Sequence, residues 1–158
     1  MLVLIAAYLA HLFIARYAVS PWWIPDITLV GLLLAIGKTP ERWLSLSLIA
    51  GLLMVLWAVR FPAQVFASYL AGGWAIRTIS TRWDVTDLRV QCVIAALAGG
   101  VMRVWGLWLD NLWSVALLGL ASLQALLTGC CVPGVRWLFK TWTAARDRRW
   151  AAPKDLGR

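Results

Sequence analysis

The sequence predicts an all-α polytopic membrane protein, a compact bundle of about six transmembrane helices. Three observations carry this. Apolar residues make up 62% of the 158 and charged residues only 14%, where soluble domains average ~45–50% and ~25%. Mean hydropathy is +0.77, and a chain this short has too few charges to cover a water-facing surface. The apolar residues also fall in runs separated by short polar gaps, and inside lipid a helix satisfies its own backbone. Disorder is excluded by the apolar content. A disulfide framework is excluded by three cysteines, two of them adjacent.

Six runs approach the ~20 residues that cross a bilayer. The first covers about 2–19 and lacks the basic start of a cleaved signal, so it reads as a retained helix. Pro21, Trp22, Trp23 and Pro25 form a stiff turn, and the second span covers about 23–37. A polar loop from Lys38 to Arg42 leads into the third, 43–59. Arg60 and Pro62 mark a tight turn before the fourth, 61–76. The second and fourth are short and are expected to tilt, thin the bilayer or re-enter. A polar loop from Arg77 to Asp87 precedes the fifth, 88–109, and Asp110 and Asn111 turn the chain into the sixth, 112–138. Residues 1–142 thus form one transmembrane domain, and 143–158 a basic cytoplasmic tail of net charge +3, expected to lie on anionic lipid.

Charge sets the topology. With six spans, all of the 15 Lys and Arg except Arg16, Arg60 and Arg103 fall on the side of the two termini. That side is therefore cytoplasmic. A five-span arrangement would divide the positive clusters between both faces. The formal charge of +8 belongs to this pattern and not to a basic stripe for nucleic acid. The twelve tryptophans agree, with Trp22, Trp23, Trp57, Trp105, Trp108 and Trp113 near the outer ends and the rest near the inner ends or beyond. Indole rings favour the headgroup zone. A ligand cage of Trp105, Trp108 and Trp113 is the alternative use of three of them.

No catalytic signature is present. His11 is the single histidine and lies in the first span, as a helix-contact hydrogen bonder or a functional group. Cys130 and Cys131 point different ways on a helix. No HExxH, GxSxG or Walker A motif occurs, and no intramembrane carboxylate pair stands ready for acid–base work. The chain is read as a non-enzyme with no cofactor or metal. Arg103 lies about 9 Å below the end of its helix, within reach of outer headgroups. Contacts of Arg103 with Asp110 or with Asp26 are the competing expectation. Small residues recur four apart: Ser47 with Gly51, Ser68 with Gly72, Ala95 with Gly99, Ala96 with Gly100. Such spacing lets helix backbones approach closely, inside the bundle or against a partner.

Four stretches resemble the MreD family, bacterial rod shape-determining membrane proteins. They are Pro25-Asp26-Ile27-Thr28-Leu29-Val30; the Lys38–Arg42 loop with Leu48-Ile49-Ala50-Gly51-Leu52-Leu53; Ala67-Ser68-Tyr69-Leu70-Ala71-Gly72-Gly73; and Leu123-Gln124-Ala125-Leu126-Leu127 through Cys131-Val132-Pro133-Gly134. Met54, Val55 and Leu56 stand where the family often has an acidic residue. The resemblance implies a scaffold of the cell-elongation machinery in the bacterial inner membrane. Its partner would be MreC, and through it MreB, RodA and the elongation penicillin-binding transpeptidase. It also implies a fold similar to the substrate-binding subunits of energy-coupling-factor vitamin transporters, which is the alternative function. The short outer loops and few polar residues in the spans argue against a pocket for a polar vitamin.

Overall fold

Among the described residues every regular element is helical and no strand occurs. The computed structural model describes residues 2–18, 24–56, 58, 61–109, 111, 112 and 114–150, the last five by backbone alone. Six α-helices appear there: α1 (Leu2–Tyr17), α2 (Ile27–Lys38), α3 (Trp43–Val55), α4 (Pro62–Ser80), α5 (Leu88–Leu109) and α6 (Val115–Trp150). A 3₁₀ turn, Pro40–Arg42, joins α2 to α3.

Several bounds differ from those the sequence predicts, each for a local reason. α2 starts later, because Asp26 caps it: its carboxylate accepts the Leu29 N–H at 2.9 Å, as a short acidic side chain does at an N-cap. α3 ends at Val55, short of residue 59. α4 starts with Pro62 in its first turn, where the missing N–H costs nothing, and runs on to Ser80. Phe61 before it takes a left-handed conformation, φ 50°. α6 carries Pro133 inside it and passes residue 142 without a break. Residues 143–150 of the expected tail therefore continue this helix, while 151–158 lie outside the described residues.

α2 is the axis of the structure. It packs against α1, α3, α4, α5 and α6, and every residue from Ile27 to Ile36 is buried. A helix apolar on all sides belongs in such a position. Leu29, Leu32, Leu33 and Ile36 meet Leu4 of α1, Leu46 of α3, Tyr69 and Ile76 of α4, Ile94 of α5 and Val132 of α6. The most extensive helix pairs are α5 with α6 and α3 with α4.

Close approach needs small residues at particular points. A Cβ on Gly31 would stand 2.5 Å from Ala7 Cβ, and one on Gly51 would stand 2.8 Å from the Phe66 ring. A Cβ on Gly73 would overlap Ser47 Oγ, and one on Gly129 would stand 2.8 Å from the Cys92 carbonyl oxygen.

The outer surface is also apolar. Leu9, Phe13, Leu52, Leu97, Val101, Leu126 and Trp137, spread over α1, α3, α5 and α6, are all exposed. α5 and the first 31 residues of α6 are long and apolar enough to cross a membrane, and only 22% and 28% of their apolar windows are buried. The core helix of a soluble protein would be mostly covered. α1 and α2 are apolar but shorter.

Candidate functional site

Pro25 has no N–H, and the segment before α2 is not helical, so its backbone polar groups need partners elsewhere. α6 supplies them. Gln124 and Thr128 are one turn apart and share a face. Gln124 Nε2 donates to the Ile24 carbonyl at 2.6 Å. Thr128 Oγ1 accepts the Asp26 N–H at 3.0 Å and donates to the Gln124 carbonyl at 2.9 Å. α4 closes the third side: Tyr69 OH donates to the two carboxylate oxygens of Asp26, at 2.8 Å each. Tyr69 is 1% exposed, so water reaches this bond only from the Asp26 side.

These residues form one end of a cavity of about 350 Å³ bounded by the Asp26 segment, α4, α5 and α6. Its polar lining is Asp26, Gln64, Ser68, Tyr69, Arg103, Gln124 and Thr128, and its apolar walls include Met54, Phe61, Met102 and Trp105. That volume lies within the ~300–1,000 Å³ of small-molecule sites. Polar residues of α4, α5 and α6 thus line one pocket together with Asp26, while Thr28, Ser47 and Gln91 do not line it.

Asp26 and Arg103 line the same cavity, but no hydrogen bond or ion pair joins them; Asp26 is held by Tyr69 and by Leu29 N–H. Asp110, the other expected partner of Arg103, lies outside the described residues, as do Trp22, Trp23, Trp57 and Trp113. Tyr69, Gln124 and Thr128 were not singled out as site residues. Their signal was polarity within apolar runs, and for Gln124 and Thr128 the four-residue spacing.

The small residues face neighbouring helices or the cavity. Gly51 lies against Phe66, Gly72 near Leu29 and Met102, Gly99 against Thr128 and Gly100 against Ala125. Ala96 faces Gly129, Ala95 is buried in the core, and Ser68 lines the cavity with its hydroxyl donating to the Gln64 carbonyl. On the outside of the α5–α6 pair lies a wide apolar groove of about 780 Å³, with Ala96, Gly100, Ala121, Ser122 and Ala125 among its lining. The Trp105 and Trp108 rings, 5.4 Å apart, border one end of it.

A second polar cluster sits at the far end of α5 and α6. Arg136 donates to the Thr86 carbonyl at 2.9 Å and to Gln91 Oε1 at 3.2 Å, and Gln91 Nε2 donates to the Val85 carbonyl at 2.7 Å. This pins the loop between α4 and α5, whose buried Val85 packs beside Gly37.

His11 is buried on α1 with Nδ1 unpartnered and does not line the cavity. The three cysteines are free thiols. Among the described residues no group of three or more His, Cys, Asp or Glu side chains gathers to hold a metal. No protein-family model, no curated protein and no solved structure matches the chain.

Proposed function

We propose that the chain is a non-enzymatic, six-span scaffold of the bacterial inner membrane, an MreD-like part of the cell-elongation machinery that binds MreC. Both termini are then cytoplasmic, in keeping with the distribution of Lys and Arg. The shorter helices cross with tilt and local thinning of the bilayer. The single observation that supports the reading best is the outward apolar groove between α5 and α6. Its alanines and glycine would let a partner's helix approach closely, and close packing is what drives helix association in lipid. The test is affinity purification from mildly solubilised native membranes. Recovery of MreC-like and wall-synthesis proteins is expected. Recovery of paired ATPases with a transmembrane coupling subunit would overturn the proposal. A C-terminal fusion reporter tests the topology, and a periplasmic signal would break the six-span arrangement.

The cavity behind Asp26 favours a second reading, a substrate-binding subunit of an energy-coupling-factor transporter. Its polar lining and apolar walls suit a small ligand. Equilibrium binding to a vitamin panel separates the two functions, since micromolar or tighter binding belongs to the second.

A further inference from the structure

The hydrogen bonds around the cavity leave a defined set of groups without partners. Thr128 Oγ1 both donates and accepts, and Tyr69 has placed its proton on Asp26. Gln124 uses its amide N–H on the Ile24 carbonyl, which fixes the flip of the amide and leaves Oε1 buried with no donor. Gln124 is 1% exposed, and a buried acceptor without a donor is destabilising. Asp26 Oδ2 receives only a share of the Tyr69 proton. On another wall stands Arg103, half-buried, with no hydrogen bond or ion pair to any described residue. Its guanidinium offers five N–H donors. The cavity therefore holds acceptors with room for a donor beside the Asp26 carboxylate, and in the same lining a cation that bonds no described residue and whose charge reaches Tyr69. Both sit in apolar surroundings, where electrostatic complementarity counts for more than in water.

We propose that this cavity binds a small zwitterionic amphiphile. Its anionic group, a phosphate or carboxylate, bonds Arg103. Its ammonium donates to Gln124 Oε1 and Asp26, and its apolar body lies against Phe61, Met102 and Trp105. An anion alone would face the Asp26 carboxylate, and a cation alone would face Arg103, so each single-charge ligand meets one repulsive pole. A ligand with both charges meets none. The headgroup of an ethanolamine phospholipid and a free apolar amino acid share this chemistry. The inference shares its cavity with the transporter reading and names the ligand class for it, but it holds equally for a scaffold.

The test uses the purified full chain in non-ionic detergent and reads equilibrium binding by calorimetry. Lysophosphatidylethanolamine is compared with lysophosphatidic acid, which lacks the ammonium, and L-phenylalanine with phenethylamine, which lacks the carboxylate. One zwitterion is expected to bind at least about tenfold more tightly than its single-charge counterpart, a difference of about 1.4 kcal/mol. The lysolipid pair responding marks a lipid as the source, and the amino-acid pair a free ligand. Arg103→Gln should weaken the binding by about tenfold or more, with circular dichroism and thermal unfolding showing that the variant is folded. Equal binding within both pairs, binding of neither zwitterion, or unchanged binding to a folded Arg103→Gln chain would overturn the proposal. The ligand series uses the parent chain and decides the matter even where the variant fails to fold. Zwitterion binding without ATPase partners in the membrane purification keeps the inference and rejects the transporter reading. Vitamin binding without zwitterion binding does the reverse.

Discussion

Tyr69→Phe isolates the bond that ties α4 to the start of α2. The ring is 1% exposed and its hydroxyl lies 2.8 Å from each Asp26 carboxylate oxygen. Phe fills the same ring volume, so no cavity opens and the loss is that of one charge-assisted hydrogen bond. Such bonds are worth about 1.5–3 kcal/mol in soluble proteins. Between helices in a bilayer the average is about 0.6 and the maximum about 1.7, since the unfolded chain also finds partners. The bond here is part-buried and shared by two oxygens, so a cost of about 1–2 kcal/mol is expected. Asp26→Asn supplies the second arm of a double-mutant cycle. Asparagine still caps α2 by accepting from Leu29 N–H, so this change removes the charge at Asp26 and spares the cap. Unfolding in mixed micelles by sodium dodecyl sulfate, followed by far-ultraviolet circular dichroism, gives the four free energies. A coupling of about 1 kcal/mol is expected. Effects that add within about 0.3–0.5 kcal/mol, as they do for independent sites, would refute the charge assistance of the Tyr69–Asp26 bond, since asparagine at 26 keeps an oxygen that can accept from Tyr69.

Gly73→Ala should destabilise the α3–α4 pair by about 1–3 kcal/mol, the usual cost of overpacking, because the new methyl meets the Ser47 side chain; adding Ser47→Gly should recover at least half of it in the same micelle assay. Arg136→Gln should free the loop between α4 and α5 by removing bonds to Thr86 and Gln91, costing about 1 kcal/mol and raising amide exchange around residues 84–88 about fivefold by mass spectrometry. In that loop the Thr86 hydroxyl and then its backbone N–H hold the Asp84 carboxyl below the usual value of 3.8. Their contribution is full above pH 3.8 and is lost as pH falls through the lower folded value. Thr86→Val should raise the Asp84 midpoint, read by NMR titration of its carboxyl carbon.

How far the fold can be read from the chain depends on how locally each feature is determined. α5 has the expected bounds because a mostly apolar run, broken only by Arg89, Gln91 and Arg103, follows the polar loop that ends at Asp87. α2 could be recognised as apolar but not as central, because a run without polar faces carries no periodicity to say which side is covered. The overrun of α6 past residue 142 was hidden by the change to basic residues, which alters hydropathy but not helix propensity, Lys and Arg being good helix formers. Asp26 and Arg103 stood out because charges in spans are costly. Tyr69, Gln124 and Thr128 did not, because they reach partners 43, 100 and 102 residues away. Only the packed bundle brings those together.

The placement of polar groups along the α5–α6 pair has a physical logic of its own. Its middle is a seam of small residues, where Gly100 meets Ala125 and Gly129 meets the backbone of Cys92 and Ala96. Such a seam sets how close two helices come but resists sliding weakly, since one small residue fits much like the next. In lipid no hydrophobic force adds to the packing. The polar clusters stand at the two ends of this seam. At one end Gln124 and Thr128 grip the start of α2. At the other Arg136 grips Gln91 and the loop beyond it. A slip of one helix turn, about 5.4 Å, would break all of these bonds and leave their polar atoms in apolar surroundings. Proximity is thus set by the absence of side chains in the middle and register by hydrogen bonds at the ends. The cavity lies where the end that holds α2 leaves acceptors over.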